Sequence, residues 1–264
     1  MKYTRQYVEQ RSKFGMFYED FNDEWWLCKV LGRIPMYVRK DDKSVAPCLV
    51  NEGFWEAWIT AWALNNVDEN TLFVDVGANT GYYSFIAADR GAKVVAFEPQ
   101  PNYAKMMKAS ADLNNFDIQI FKYALSDKVD TVELTVPNEF QGSASIRGYL
   151  DTEKYPSGTM MVKTMPLDDV DQLRHKTDRN MIIKIDAEGA EELIWNGMRQ
   201  VLETHQPTII LEYTPGAYSD DFLKQVEAYG DLMWINHAGD DEVISRDAII
   251  ASDDWRMLVI RPRQ

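Results

Sequence analysis

Between residues 72 and 84 the chain reads L-F-V-D-V-G-A-N-T-G-Y-Y-S. An apolar run ends in an acid, Asp75, and then breaks into a loop with Gly77, Ala78, Asn79 and Gly81 before a helical pattern begins. Glycine tolerates tight turns and lets a ligand touch bare backbone, and the free N–H groups of a helix start bind a carboxylate or phosphate. The chemistry this points to is the holding of a nucleotide-bearing cofactor.

Charge discriminates between cofactors. A dinucleotide fingerprint is G-x-G-x-x-G with a pyrophosphate on the helix N-terminus, whereas here Asn79 stands for the middle glycine and Asp75 leads the loop. A carboxylate repels a pyrophosphate and attracts an ammonium or a sulfonium. S-adenosylmethionine carries both cations, and its own carboxylate suits the loop N–H groups. The next apolar run, residues 93–97, ends in Glu98, about twenty residues beyond the loop, where an acid binds ribose hydroxyls. D-x-G-x-x-x-G alone also fits an ordinary strand-to-helix turn. With Glu98 the pattern favours the methyl donor over NAD.

A second group of chemically capable residues follows the apolar run 181–185, where I-I-K-I-D-A-E-G-A-E places Lys184, Asp186, Glu188 and Glu191 around one strand exit. A further run, 208–212, also ends in an acid, Glu212. In open α/β sheets ligands sit outside the carboxyl ends of the strands, where strand order reverses. Asp75 and Asp186 are therefore expected to face one cleft. Buried acids are costly unless they meet cations or a metal, so three acids at three strand exits predict an electronegative pocket. Glu191 and Glu212 individually also fit helix caps or ion pairs. Lys184 shares a strand face with Asp186, which suits an ion pair that orients Asp186 or a contact to an acceptor.

These residues must be positioned by a fold, and the pattern predicts one. From residue 72 onward, strand-like runs (72–76, 93–97, 118–125, 131–136, 181–185, 208–212, 232–236 and 256–260) alternate with helical stretches (82–90, 101–114, 190–204 and 220–228). Alternation of this kind implies a parallel sheet covered by helices on both faces. With no helix foreseen between the last two strands, the final one is expected to return antiparallel. Residues 138–163, rich in Gly, Ser and polar side chains, form an insertion, and such insertions are either floppy or functional. In the first seventy residues Trp55, Trp58 and Trp62 recur at helical spacing, placing them on one helix face that packs on the sheet or walls a substrate ring.

Composition narrows the partners. The 264 residues are 45% hydrophobic and 27% charged, enough for a full core. A net charge of −14 argues against a nucleic-acid backbone as partner, since that affinity is largely cationic. Arg33, Arg39, Lys40 and Lys43 are interleaved with Asp41 and Asp42 and predict a solvated hairpin rather than a basic patch. Two cysteines, Cys28 and Cys48, make no disulfide framework or zinc motif. The opening M-K-Y-T-R-Q-Y-V has no secretory pattern, and no apolar run reaches the roughly 18 residues of a membrane span. The expectation is a cytoplasmic protein.

The motifs together resemble a known family. F-V-D-V-G-A-N-T-G-Y-Y-S, A-F-E-P at 96–99, A-L-S-D at 124–127, P-L-D-D at 166–169, K-I-D-A-E-G-A-E at 184–191 and P-T-I-I-L-E at 207–212 are similar, in order, to the FkbM S-adenosylmethionine-dependent methyltransferases. N-E-G-F-W-E at 51–56 resembles that family's short helix before the sheet. The resemblance implies a Rossmann-like class I methyltransferase fold, with a seven-stranded, mostly parallel sheet and an antiparallel last strand. Residues 71–264 would form it, and residues 1–70 would be an N-terminal extension packed on it.

By the same resemblance Asp75, Gly77, Ala78, Asn79 and Gly81 hold the methionine end of the cofactor. Glu98 and Pro99 lie at the ribose, Ala124, Leu125 and Ser126 along the adenine, and Asp186 and Glu188 near the methyl group and acceptor. The implied reaction is methylation of an oxygen of a sugar, glycan or natural product. Methyl transfer is an in-line displacement that needs alignment and loss of the acceptor proton. Asp186 is the first choice of base. An ordinary aspartate, with a pKa of about 3.9, is a weak base, so burial must raise it or a divalent cation held by Asp186 and Glu212 must acidify the acceptor. The Glu212 exit lacks a tight acid pair, and no metal is predicted.

His237, in W-I-N-H-A-G, follows a strand on the carboxyl-end side and completes the candidate catalytic set with Asp186 and Glu188, unless it is structural. His175 and His205 are read as surface residues. Two alternatives stand beside this assignment. A base-directed nucleic-acid methyltransferase would carry an N/D-P-P-Y/F loop where D-A-E-G stands here; a non-catalytic accessory protein would keep only the fold.

Overall fold

The computed structural model describes residues 2–147 and 156–263. The chain begins with helix α1 (Arg5–Lys13), an antiparallel sheet of β1 (Tyr18–Asp20), β2 (Trp25–Val30) and β3 (Ile34–Arg39), and helices α2 (Ala46–Asn51) and α3 (Ala57–Asn66). Next come β4 (Thr71–Val76), α4 (Tyr82–Asp89), β5 (Lys93–Phe97), α5 (Pro101–Asn114) and β6 (Ile118–Phe121). A small sheet follows, in which β9 (Ser157–Met165) lies between β7 (Ala124–Leu125) and β8 (Asp130–Pro137). The rest runs β10 (Asn180–Ile185), α6 (Glu191–Asn196), α7 (Arg199–His205), β11 (Thr208–Tyr213), α8 (Asp220–Tyr229), β12 (Gly230–Ile235), β13 (Asp241–Val243), α9 (Arg246–Ile250) and β14 (Arg256–Pro262).

The large sheet has the order β13-β12-β14-β11-β10-β4-β5-β6. The chain lays down β4, β5 and β6 toward one edge, then returns to place β10 and β11 on the other side of β4. Strand order therefore reverses between β4 and β10, and the crevice that opens at such a reversal lies beyond the strand ends Val76 and Ile185. β14 runs antiparallel to both β11 and β12. This is the class I methyltransferase architecture, widened by the short edge strand β13.

Side-chain alternation explains why the strands are apolar throughout. Leu72, Val74 and Val76 of β4 join a core with Ile183 and Ile185 of β10 and with Ile194, Trp195 and Phe222 of the helices α6 and α8. Phe73 faces the other way, into a core shared with Ile59 of α3, Phe85 of α4 and Val30, Ile34 and Met36 of the N-terminal hairpin. A strand covered on both faces reads as a continuous apolar run. The first seventy residues thus supply much of one layer over the sheet.

Several expected elements differ in detail. The run 118–125 is two strands in two sheets, since the chain turns at Lys122 and Tyr123 after leaving β5's side. The helix foreseen over 190–204 breaks at Gly197, where a Cβ would lie 2.0 Å from the Ser126 carbonyl oxygen. The short helix expected at 51–56 ends at Asn51, and Gly53 turns the chain at φ +75°. Trp55 lies outside α3, which starts only after Glu56 at φ +40°, so the tryptophan stripe reduces to Trp58 and Trp62. Between β12 and β14 lie β13 and the short α9, where no helix was expected. Of the insertion at 138–163, residues 148–155 lie outside the described residues; the remainder includes most of β9 and a tight turn at Gln141–Ser143. Arg33, Arg39, Lys40 and Lys43 each meet a carboxylate: Asp89, Asp41, Asp20 and Glu139. Among the described residues no helix is long and apolar enough to cross a membrane.

Candidate active site

The loop after β4 is shaped by close backbone approach. Gly77 sits at φ +76°, and a Cβ there would fall 1.9 Å from the Asp186 carbonyl oxygen, so the β4 and β10 exits touch only because this residue has no side chain. The Gly77 and Ala78 N–H groups both donate to the Phe97 carbonyl at the end of β5, over 3.1 and 3.0 Å. Asn79 adopts φ +52°, and its N–H donates to Glu98 Oε2 over 2.8 Å. The other oxygen of Glu98 accepts from the Gln100 N–H over 2.8 Å. Burial pushes the Glu98 carboxyl up to about 7 against these two backbone donors.

These strand ends border a cleft lined by Gly77, Asn79, Glu98, Pro99, Ala124 and Leu125. Asp186, Glu188, Gly142 and Ile146 line it as well. The donor and acceptor set fits S-adenosylmethionine. Asn79 Oδ1 is buried without a hydrogen-bond partner, which leaves an acceptor for an ammonium. Each Glu98 oxygen keeps a lone pair beyond its backbone bond, and a carboxylate accepts at about four sites, so ribose hydroxyls have a place. Ala124, Leu125 and Ile146 offer an apolar slot for a base.

A second and larger cavity, of about 360 Å³, opens beside the first and shares Gly77, Asn79, Gly142, Asp186 and Glu188 with it. Trp55, Tyr82, Tyr83 and Trp255 give it aromatic walls, and Glu56, Lys184 and Glu212 add charge. Lys184 Nζ donates to Asp186 Oδ2 over 2.7 Å and sits 4.9 Å from the centroid of the Tyr83 ring. Burial works against its charge, yet Asp186, Asp75 and Glu56 outweigh that and hold the ammonium above its ordinary value. Tyr83 Oη donates to Glu56 over 2.8 Å; burial, then the nearby Asp186, pushes Glu56 up to about 7. Glu188 is pushed up to about 8 by burial, Asp186 and Glu191. Glu191 itself faces away from both cavities, accepting from the Ala187 N–H and from Tyr218. The insertion closes over this junction: Ser145 Oγ donates to the Glu188 carbonyl over 2.7 Å, and Gly142 leaves room for Asn79 and Ser44.

Of the expected site residues, the structure brings Gly77, Asn79, Glu98, Pro99, Ala124, Leu125, Asp186 and Glu188 to the first cleft. Ala78 faces the second. Asp75 reaches neither, contrary to the expected shared cleft with Asp186, because β4 continues through Val76 and the acid points between the sheet and α4. There it is 1% exposed and accepts from Ser84 Oγ over 2.6 Å, beside its register partner Lys184. Gly81, at φ +83°, makes the turn into α4 and packs on Phe85 and Met107. Ser126 is tied by its N–H to Met165 and lines neither cavity. His237 stands apart from Asp186 and Glu188, edge-on to Trp58 with ring centroids 5.7 Å apart, in a separate cavity with Trp234 and Trp255. His205, at the end of α7, bonds the Leu173 carbonyl and is part-buried rather than a plain surface residue. Glu56, Tyr83 and Trp255 were not foreseen. The one sequence signal for Glu56 was its place in N-E-G-F-W-E, and nothing local marks Trp255.

Comparison with known proteins adds a family. The Methyltransferase FkbM domain matches residues 75–240, more than half of the chain. No curated protein sequence matches. Among solved structures, the methyltransferase FkbM from Methylobacillus flagellatus KT is 14% identical with a TM-score of 0.45, over 74% of this chain and 44% of that one. This chain thus spans less than half the length of that relative. The T. thermophilus 16S rRNA N2 G1207 methyltransferase, in complex with AdoMet and guanosine, is 11% identical with a TM-score of 0.48, over 93% of this chain and 52% of that one. The precorrin-6y C5,15-methyltransferase from Geobacter metallireducens GS-15 is 12% identical with a TM-score of 0.42, over 81% and 91%. By its match over residues 75–240, the chain belongs to the FkbM family of S-adenosylmethionine-dependent methyltransferases.

Proposed function

We propose that the protein transfers the methyl group of S-adenosylmethionine to a hydroxyl oxygen of a sugar, glycan or natural product. The observation that carries this reading is the junction: among the described residues, Asp186 and Glu188 are the two carboxylates that border both the cleft lined by Asn79 and Glu98 and the aromatic second cavity. When bound, the cofactor supplies an electrophilic methyl group on a sulfonium. The free Asn79 Oδ1 takes the ammonium of its methionine end beside Gly77, Glu98 and Pro99 hold its ribose, and Ala124 and Leu125 its base. Asp75 and Gly81 act from behind the loop, by holding it in shape.

The acceptor occupies the second cavity. Trp55, Tyr83 and Trp255 offer flat faces suited to a sugar ring or a hydrophobic product, and the carboxylates accept hydrogen bonds from hydroxyls. Asp186, oriented by Lys184, receives the acceptor proton, and Glu188 holds the hydroxyl in line. A nucleic-acid acceptor fits poorly, since Glu56, Asp186, Glu188 and Glu212 surround a cavity whose one cation among the described residues, Lys184, is already paired. We place the protein in the cytoplasm, where its cofactor is made available and its two thiols stay reduced.

Labelled S-adenosylmethionine offered with extracts fractionated into glycans, small metabolites and RNA tests the reading. Label is expected in a hydroxyl-bearing glycan or metabolite. Label confined to RNA would favour the nucleic-acid alternative, and binding of the cofactor without transfer to any fraction would favour a non-catalytic protein.

A further inference from the structure

Asp186, Glu188 and Glu212 each present one carboxylate oxygen such that the three lie within 4.8 Å of one another on the wall of the second cavity. Oxygens that share one hard cation, each bound at about 2.0–2.6 Å, lie at most about 5 Å apart. Proximity of acids is common and by itself says little. Glu212 supplies the second observation. It is 8% exposed; one oxygen accepts from Trp255 Nε1, and the other, Oε2, is buried with no hydrogen-bond partner. An ionised oxygen left bare in the interior is costly. The neighbouring cation, Lys184, donates to Asp186 Oδ2 and makes no hydrogen bond to this oxygen.

We propose that Asp186, Glu188 and Glu212 bind one divalent cation of oxygen-preferring chemistry, Mg²⁺ or Mn²⁺, in the second cavity beside the cofactor cleft. All three ligands are carboxylates, the oxygen donors that suit such hard ions. The site completes Glu212 and offsets three converging negative charges. What the cation does rests on the methyl-transfer reading, whereas its binding does not. A hydroxyl that joins its coordination shell becomes more acidic, so a base as weak as a carboxylate suffices to take the proton.

The test titrates the full chain, freed of metal with a chelator, with Mn²⁺ and follows the electron paramagnetic resonance signal of the free ion. S-adenosylmethionine binding is measured by calorimetry on the same samples. One saturable Mn²⁺ site per chain is expected, displaced by Mg²⁺ and weakened on the order of tenfold or more in both Glu212→Gln and Glu188→Gln. Circular dichroism reports whether each variant keeps its fold. Glu212→Gln is expected to retain the cofactor affinity of the parent, because Glu212 borders only the second cavity. No saturable Mn²⁺ binding up to about 1 mM, or equal binding by parent and two folded variants, overturns the metal site. Mn²⁺ binding without S-adenosylmethionine binding would instead leave the site standing and contradict the methyl-transfer reading.

Discussion

Lys184 and Asp186, two residues apart at the exit of β10, form an ion pair of 2.7 Å whose lysine is almost fully enclosed. The lysine lies between Asp75, Asp186 and Glu56, and it is the charge that allows those acids to be brought together. Removing it strands them. Lys184→Met is expected to destabilise the protein by about 3 kcal/mol, the cost of leaving a buried charge uncompensated, as read from chemical denaturation. A loss below about 0.5 kcal/mol, the scale of a surface pair, would contradict this role.

Gly77→Ala tests the contact between strand exits. A methyl group there meets the Asp186 carbonyl oxygen at 1.9 Å, in a backbone conformation at φ +76° that disfavours side chains. The loop must move away from β10, so cofactor affinity should fall at least about tenfold, equivalent to about 1.4 kcal/mol. Gly216→Ala is the control, since φ is +74° there but the space is open. Equal cofactor affinity in the two variants would show that the close approach is unimportant.

Stability should depend on pH through Glu56 and Glu98. Both carboxyls are pushed from an ordinary value of 4.5 up to about 7 in the folded protein. The folded state therefore binds more protons than the unfolded chain between those values, and the stability these groups contribute is lost as pH rises through about 7. Glu56 faces Lys184, Asp186 and Tyr83, and Glu98 faces Asp75 and the Asn79 and Gln100 N–H groups. The midpoint of thermal unfolding is expected to be higher at pH 5.5 than at pH 8, and Glu56→Gln should flatten that slope. A midpoint that rises from pH 5.5 to pH 8 would reverse the sign and refute the assignment.

The place of His237 has its own consequence. It packs on Trp58 in a cavity apart from the junction, so His237→Ala should leave cofactor affinity within about twofold of the parent and alter turnover little. A fall of 10²-fold or more, the usual scale of a lost general base, would return it to the catalytic set.

The fold was legible in the sequence where burial makes strands apolar and glycine marks an unavoidable turn. Thr71–Val76, Lys93–Phe97, Asn180–Ile185 and Thr208–Tyr213 all follow that rule, and their exits carry Gly77, Glu98, Asp186 and Glu212 into view. Alternation then decides what a strand-end acid can reach, and a one-residue error matters. Asp75 looked like the end of β4, but Val76 follows it in the strand and the carboxylate turns toward Ser84. Glu56 and Trp255 were illegible for a different reason. They arrive from opposite ends of the chain, and only tertiary packing brings them to the cavity wall shared with Asp186 and Glu212. Ser126 lay within a matching motif, yet its backbone is tied to β9 rather than to the cleft.

Calorimetric titration with S-adenosylmethionine, on the parent and on Glu98→Ala, tests the central claim most directly. The account predicts saturable binding of one molecule per chain, weakened at least about tenfold by removing the carboxylate that faces the cleft from the end of β5. No binding by the parent, or the same affinity in both proteins, would contradict it.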